Sequence, residues 1–183
     1  VKVTIQKIYP EWLPNRMAEM TTHGKVVKAP KSFWFKSEHS PIRGFEYWIE
    51  FHDLPTFVSV HFVRHKFGVE HFVKSNRDDL YLDKHVVIDR NSPVNHGMKI
   101  NAQALITMGR KRLCYKAHIK TVAAFRKMVK GLGRVEPEIA KYIVPECVYR
   151  GFCPEGKECK PGVEKVMRAY ADYPPRPLEK GIK

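Results

Sequence analysis

His61-Phe62-Val63-Arg64-His65-Lys66-Phe67-Gly68-Val69-Glu70-His71-Phe72-Val73-Lys74-Ser75-Asn76-Arg77 is the stretch around which this chain is organised. It sets three histidines, two arginines and two lysines among aromatic and β-branched residues. A solvated charge run would not carry Phe62, Val63, Phe67, Phe72 and Val73. A plain core segment would not carry so many donors. The mixture suits a cleft wall, in which apolar residues hold the backbone and cations face an anionic ligand. The plainer alternative is a half-buried element whose basic residues snorkel outward.

Working outward, the 183 residues and 43% hydrophobic content suffice for one domain with a real core. One domain over residues 1–183 is expected, with a frayed Pro- and Lys-rich tail from about residue 174. The formal net charge of +14 favours anionic partners, such as nucleotides, folates, nucleic acid or acidic membranes. No apolar run approaches the roughly 20 residues that span a bilayer. Residues 1–10 alternate like a strand and carry no signal-peptide core, so a cytoplasmic, intracellular protein is expected. Of the four cysteines, Cys147, Cys153 and Cys159 fall at six-residue steps. That is not the spacing of a zinc knuckle, and free thiols are expected with no metal.

Residues 1–9 read as a strand by their period of two. Residues 10–22 read as a helix with Leu13, Met17 and Met20 on one side, closed by Gly24. Residues 32–36 read as a short extended piece and 38–44 as a turn. Residues 45–51 have strong β character, and Asp53-Leu54-Pro55 is expected to break that strand. Residues 56–66 fit a strand through alternation, or a helix through Pro55 at its start and Val58, Phe62 and His65 on one face. Length tips the reading to helix. Residues 77–95 are polar and turn-rich, as a loop over a site would be. Residues 98–112 read as a helix, and so does a second run to residue 130. In that run His118, Val122, Phe125, Val129 and Leu132 form an apolar stripe that Gly131 and Gly133 end. Residues 137–144 and 163–170 read as short helices around a Cys-, Gly- and Pro-containing loop.

Phosphate-binding glycine loops and nucleophile elbows are absent, so no Rossmann domain is expected. His61 and His65 stand four apart, but Arg64 and Lys66 beside them argue against a bound cation. Asn101, Ala102 and Gln103 are followed nine residues later by Arg112. The pair Gln103 and Arg112 is expected to share roughly one side of a helix and to hold a planar polar ring and a phosphate. A solvated helix face, with Arg110, Lys111 and Lys116 in it, is the plain alternative.

Arg64-His65-Lys66 followed by Ser75-Asn76-Arg77 resembles the signature of flavin-dependent thymidylate synthases, an Arg-His-Arg triplet before Ser-x-Arg. Glu38-His39, the strand ending at Ile49-Glu50, Asn101-Ala102-Gln103 and Arg112 with Ala117-His118 stand in the family's order. The similarity runs from about Glu38 to Glu155. It implies an α/β (α+β) fold with a curved, mainly antiparallel sheet flanked by helices. It also implies methylation of deoxyuridylate to thymidylate, with FAD as cofactor and methylenetetrahydrofolate and NADPH as co-substrates. Arg64, His65, Lys66, Asn101, Gln103 and His39 would then hold the flavin. His61, Ser75, Arg77 and Arg112 would bind the pyrimidine deoxynucleotide, with Arg112 and Ser75 catalytic. A homotetramer with shared sites is implied, and no membrane partner.

The chain departs from that pattern at Lys66, which lacks the planar bidentate fork of arginine. It departs also at the longer gap before Ser75, at Val73, at Gln103 and at His118-Ile119-Lys120. These changes cluster at the ligand contacts. Two alternatives therefore stand beside thymidylate synthesis: a related enzyme of changed outcome, such as a pyrimidine nucleotide hydroxymethylase or a reductase that oxidises its nicotinamide cofactor without methyl transfer, and a non-catalytic basic module that binds nucleic acid.

Overall fold

The computed structural model describes residues 1–23, 25–75 and 88–173. Four strands among them form one antiparallel sheet in the order β1-β2-β4-β3. They are β1 (Lys2–Lys7), β2 (Glu46–Pro55), β3 (Val69–Val73) and β4 (Pro93–Asn101). Helices α1 (Leu13–Thr21) and α2 (Lys31–Ser37) lie between β1 and β2, with a 3-10 turn at Ser40–Gly44. Helix α3 (Thr56–Val63) joins β2 to β3. After β4 come α4 (Ala102–Arg112), α5 (Ile119–Val135), α6 (Pro137–Ala140), α7 (Glu146–Arg150) and α8 (Val163–Arg168). The expected antiparallel sheet with flanking helices is the architecture found.

The inner face of the sheet follows from its register. Tyr47 pairs with Ile100, Ile49 with Met98 and Phe51 with His96, and all six side chains are buried. Helix α5 lays Val122, Phe125, Met128 and Leu132 toward that core at three-four spacing. The Phe125 ring stands 6.0 Å from that of Phe62 in α3, which stands 5.2 Å from Phe51 in β2. Each such phenylalanine contributes roughly 1.5–3 kcal/mol by its burial. This packing fixes α3 over the sheet, and therefore fixes the turn that follows α3.

Several boundaries differ from the sequence reading. The expected helix over 98–112 begins only at Ala102, because 93–101 is β4. Inward Val94, His96, Met98 and Ile100 alternate there, but His96 and Gly97 hide the apolar period. Asn101 ends the strand and starts α4, its side-chain oxygen accepting from the Ala104 amide at 2.9 Å. Strand β3 lies inside the organising stretch, where the density of charge masked its pattern. The expected extended piece at 32–36 is α2. Burial of Trp34 and Phe35 outweighs the β preference of the aromatic run, and Glu38 in the left-handed region (φ 53°) ends the helix. Asp53, also left-handed (φ 55°), makes a bulge that β2 passes through instead of stopping.

In α1 the fully buried positions are Pro14 and Ala18, while Met17 and Met20 are exposed. Gly131 and Gly133 lie within α5. A Cβ at Gly131 would stand 3.1 Å from the Ile5 side chain, so that glycine serves close packing on β1. The expected loop at 145–161 contains α7, begun after Pro145 and ended by Gly151 at φ 82°. Gly24, most of the expected loop over a site and the tail from residue 174 lie outside the described residues.

Candidate functional site

The turn after α3 carries Arg64, His65 and Lys66, and three backbone and side-chain contacts fix it. The His65 amide donates to the Phe62 carbonyl at 3.0 Å, closing the last helical turn. The Asn101 amide donates to the Gly68 carbonyl at 3.0 Å, tying the turn to the β4–α4 junction. Arg112 Nε donates to His65 Nε2 at 2.9 Å. Gly68 is left-handed (φ 71°), and a Cβ there would stand 2.6 Å from the Asn101 side-chain nitrogen. Only glycine fits so close an approach without a shift.

The result is a cavity of about 640 Å³ lined by Arg64, His65, Lys66, Asn101 and Gln103. Its size falls within the roughly 300–1,000 Å³ usual for small-molecule sites. Five of the six residues expected to hold a flavin therefore share one cavity. The sixth, His39, is exposed beside Phe33, with ring centroids 6.3 Å apart, and does not line it. Sequence reasoning missed Arg43, Ala104 and Thr107 in the wall, and had Phe67 and Gly68 there only as part of the organising stretch. A glycine at 68, two residues after the cationic triplet, was the signal in the sequence for a turn there.

Gln103 Nε2 donates to Glu38 at 2.7 Å, and Arg110 pairs with the same carboxylate. Glu38, not its neighbour His39, thus reaches the site, and Arg110 cancels its charge there. The guanidinium of Arg110 also lies 3.4 Å from the centre of the Tyr149 ring, joining α4 to α7.

Arg112 does not share a side with Gln103. Nine residues make about two and a half turns, so the remainder is half a turn and the two point apart. Arg112 instead lines a second cavity of about 360 Å³, and His65 lines both. His65, held by its hydrogen bond from Arg112, is the residue that both cavities share. Cys114, Cys147, Cys153 and Cys159 all line this second cavity as free thiols. Among the described residues no three Cys, His, Asp or Glu side chains are grouped so as to hold a metal ion.

Electrostatics mark the same place. Burial first, then Arg112 and His71, hold His65 down to about 4. A neutral His65 that accepts at Nε2 carries its proton on Nδ1, so it presents a donor. Burial, then Arg112 and Arg64, lower His61, whose Nδ1 is 2.8 Å from the Thr121 hydroxyl. Burial and Arg64 lower even Arg112. Among the described residues no carboxylate pairs with Arg64, Lys66 or Arg112, whereas Arg110, Lys111 and Arg150 all have one. Arg112 is half-buried and Arg64 and Lys66 are exposed beside it, and cations so grouped without a counter-ion among the described residues make a site for an anion. Ser75 is exposed beyond the end of β3 and lines neither cavity, and Arg77 lies outside the described residues.

The fold is that of the thymidylate synthase X type, a four-stranded antiparallel sheet with packed helices. Thymidylate synthase X (ThyX) from Helicobacter pylori, solved with FAD and dUMP, superposes with a TM-score of 0.58 at 13% identity, covering 80% of this chain and 99% of that one. The UMP/dUMP methylase PolB from Streptomyces cacaoi, bound with 5-Br dUMP, superposes with a TM-score of 0.56 at 11% identity, covering 83% and 96%. No protein-family model and no curated protein matches the sequence. No helix among the described residues is long and apolar enough to cross a membrane.

Proposed function

We propose that the chain is a flavin- and folate-dependent enzyme that methylates deoxyuridylate to thymidylate. The observation that supports this reading is the convergence of Arg64, His65, Lys66, Asn101 and Gln103 on one cavity beside Arg112, which bonds His65 and has no carboxylate partner among the described residues. The donor set fits FAD. Arg43, Arg64 and Lys66 are cations for a diphosphate, and the His65 Nδ1–H, Asn101 and Gln103 amides are donors and acceptors for a planar heterocycle. When bound, the flavin supplies the hydride, NADPH recharges it and methylenetetrahydrofolate supplies the carbon.

The chain's own residues bind and orient. Arg112 spends its Nε–H on His65, which leaves the two terminal nitrogens of its fork for the pyrimidine nucleotide. There a fixed cation stabilises negative charge developing on the ring, at no cost of reorganisation. His61 and Arg112 belong to the nucleotide side of the site, together with Ser75 and Arg77 from the segment after β3. A single domain, a homotetramer with composite sites and a cytoplasmic setting complete the proposal.

The test is the visible spectrum of the purified chain with and without FAD, followed by the product mass from deoxyuridylate. A protein-retained flavin and a product one methyl group heavier are expected. Uridylate belongs in the same assay, because PolB is named for both nucleotides. No retained flavin would overturn the proposal and direct attention to salt-dependent nucleic-acid binding.

A further inference from the structure

Behind the Arg64–Lys66 turn runs a line of three hydrogen bonds that the binding role does not use. Ser59 Oγ in α3 is 2.9 Å from His96 Nδ1 in β4. His96 Nε2 is 2.9 Å from His71 Nδ1 in β3. His71 Nε2 is 2.9 Å from the backbone carbonyl of His65. His96 is fully buried, with its ring 6.2 Å from Phe51 and 6.0 Å from Phe62. It occupies an inward position of β4 between Val94 and Met98, where an apolar side chain would suit the packing. A polar ring there costs stability unless both nitrogens are bonded, and both are.

The carbonyl end and a neutral His71 together set the direction of every bond. A carbonyl only accepts, so His71 carries a proton on Nε2. In neutral His71 the Nδ1 is then bare and accepts from His96 Nε2–H. His96 Nδ1 is bare in turn and accepts the Ser59 hydroxyl proton. Burial and the neighbouring His71 hold His96 down to about 4, so it is neutral near pH 7. The line ends on a carbonyl that cannot pass a proton onward, so it holds a position and carries no proton to the site.

We propose that Ser59, His96 and His71 are positioning residues. They form a hydrogen-bond line of fixed direction that holds the His65 carbonyl, and with it the Arg64–Lys66 turn, in the shape that takes the flavin. The inference rests on the flavin reading of the cavity, but its first two tests do not require flavin.

Nitrogen-15 NMR of histidine-labelled full chain at neutral pH should show His71 and His96 each protonated on Nε2 alone. A proton on His96 Nδ1 would overturn the proposal. Backbone amides of residues 64–68 should exchange about tenfold faster in His71→Phe, as expected for a lost restraint near 1.4 kcal/mol. Unchanged exchange would overturn it. The same variant should weaken FAD binding by about tenfold. His71→Gln keeps a donor where Nε2 stood and should restore FAD affinity to within about threefold of wild type, whereas a purely packing role would not distinguish Gln from Phe. Equal affinities for the Phe and Gln variants, or wild-type affinity in His71→Phe, would overturn the positioning role. If the wild-type chain holds no FAD, the flavin reading fails, and the tautomers and amide exchange alone decide whether the line holds the turn.

Discussion

Gly68→Ala is the perturbation that most directly connects backbone geometry to the site. The φ of 71° puts Gly68 in the left-handed region, where an L side chain costs about 1–2 kcal/mol. The new Cβ would also stand 2.6 Å from Asn101 Nδ2 and 2.9 Å from Asn101 Oδ1. That oxygen caps α4 through the Ala104 amide, so moving it forfeits a cap worth about 1 kcal/mol. The sum is about 2–3 kcal/mol, which for a chain of this size lowers the melting temperature by roughly 4–12 °C. Asn101→Ala alone loses only the cap, about 1 kcal/mol. In the double variant the cap is already gone and the methyl group has room. The two substitutions together should therefore cost about 1 kcal/mol less than their sum. Urea unfolding of the four proteins, with midpoints and slopes compared, measures that coupling. Additivity within about 0.3 kcal/mol would refute the reasoning, because it would mean that Gly68 and Asn101 do not compete for one space.

Three further outcomes follow from the same geometry. Arg112→Ala should abolish thymidylate formation and leave most FAD bound, read by turnover and by retained visible absorbance; surviving turnover would remove Arg112 from the chemistry. Phe62→Ala, which empties the contact between Phe51 and Phe125, should cost about 3–5 kcal/mol in urea unfolding; a loss below about 1 kcal/mol would place that ring outside the core. His65 and His96 are held down to about 4 in the folded chain, against about 6.5 when unfolded. Between those values the unfolded state binds more protons, so stability is complete above about pH 6.5 and is lost as pH falls toward 4. Urea midpoints that stay level from pH 7 to 4.5 would contradict the neutral state of both rings.

How far the sequence was legible differs from element to element for physical reasons. Strand β1, helices α3 and α5 and the cationic turn were readable, because each carries a period or a stop that local chemistry dictates, whereas α1 was readable as a helix but not in its buried face, which is Pro14 and Ala18 and not Met17 and Met20. Strand β4 was not, because a buried His96 and Gly97 interrupt its alternation. Its place between β2 and β3 comes from pairing partners distant in sequence. Helix α2 escaped for a related reason: burial of Trp34 and Phe35 decides it. The expected side of Gln103 and Arg112 failed on helical arithmetic, which the sequence alone contained. Glu38 escaped because its partners, Gln103 and Arg110, lie 65 and 72 residues away.

Those long-range pairs also account for a departure that the sequence left unexplained. An arginine at position 103 would face Glu38, which Arg110 already neutralises. A neutral amide there satisfies the second carboxylate oxygen without adding a cation that has no counter-ion of its own. The cavity wall then keeps its positive charge on Arg43, Arg64 and Lys66. Gln103 accordingly spends an N–H on the carboxylate, and its side-chain oxygen is an acceptor that a proposed ring N–H could use. An arginine has no acceptor to offer. The substitution changes what the site can recognise more than how strongly it attracts anions. On the flavin reading, Gln103→Arg is expected to weaken FAD binding less than Arg64→Ala does, because it removes no cation from the wall; equal or greater loss in a fluorescence titration with FAD would contradict that role for Gln103.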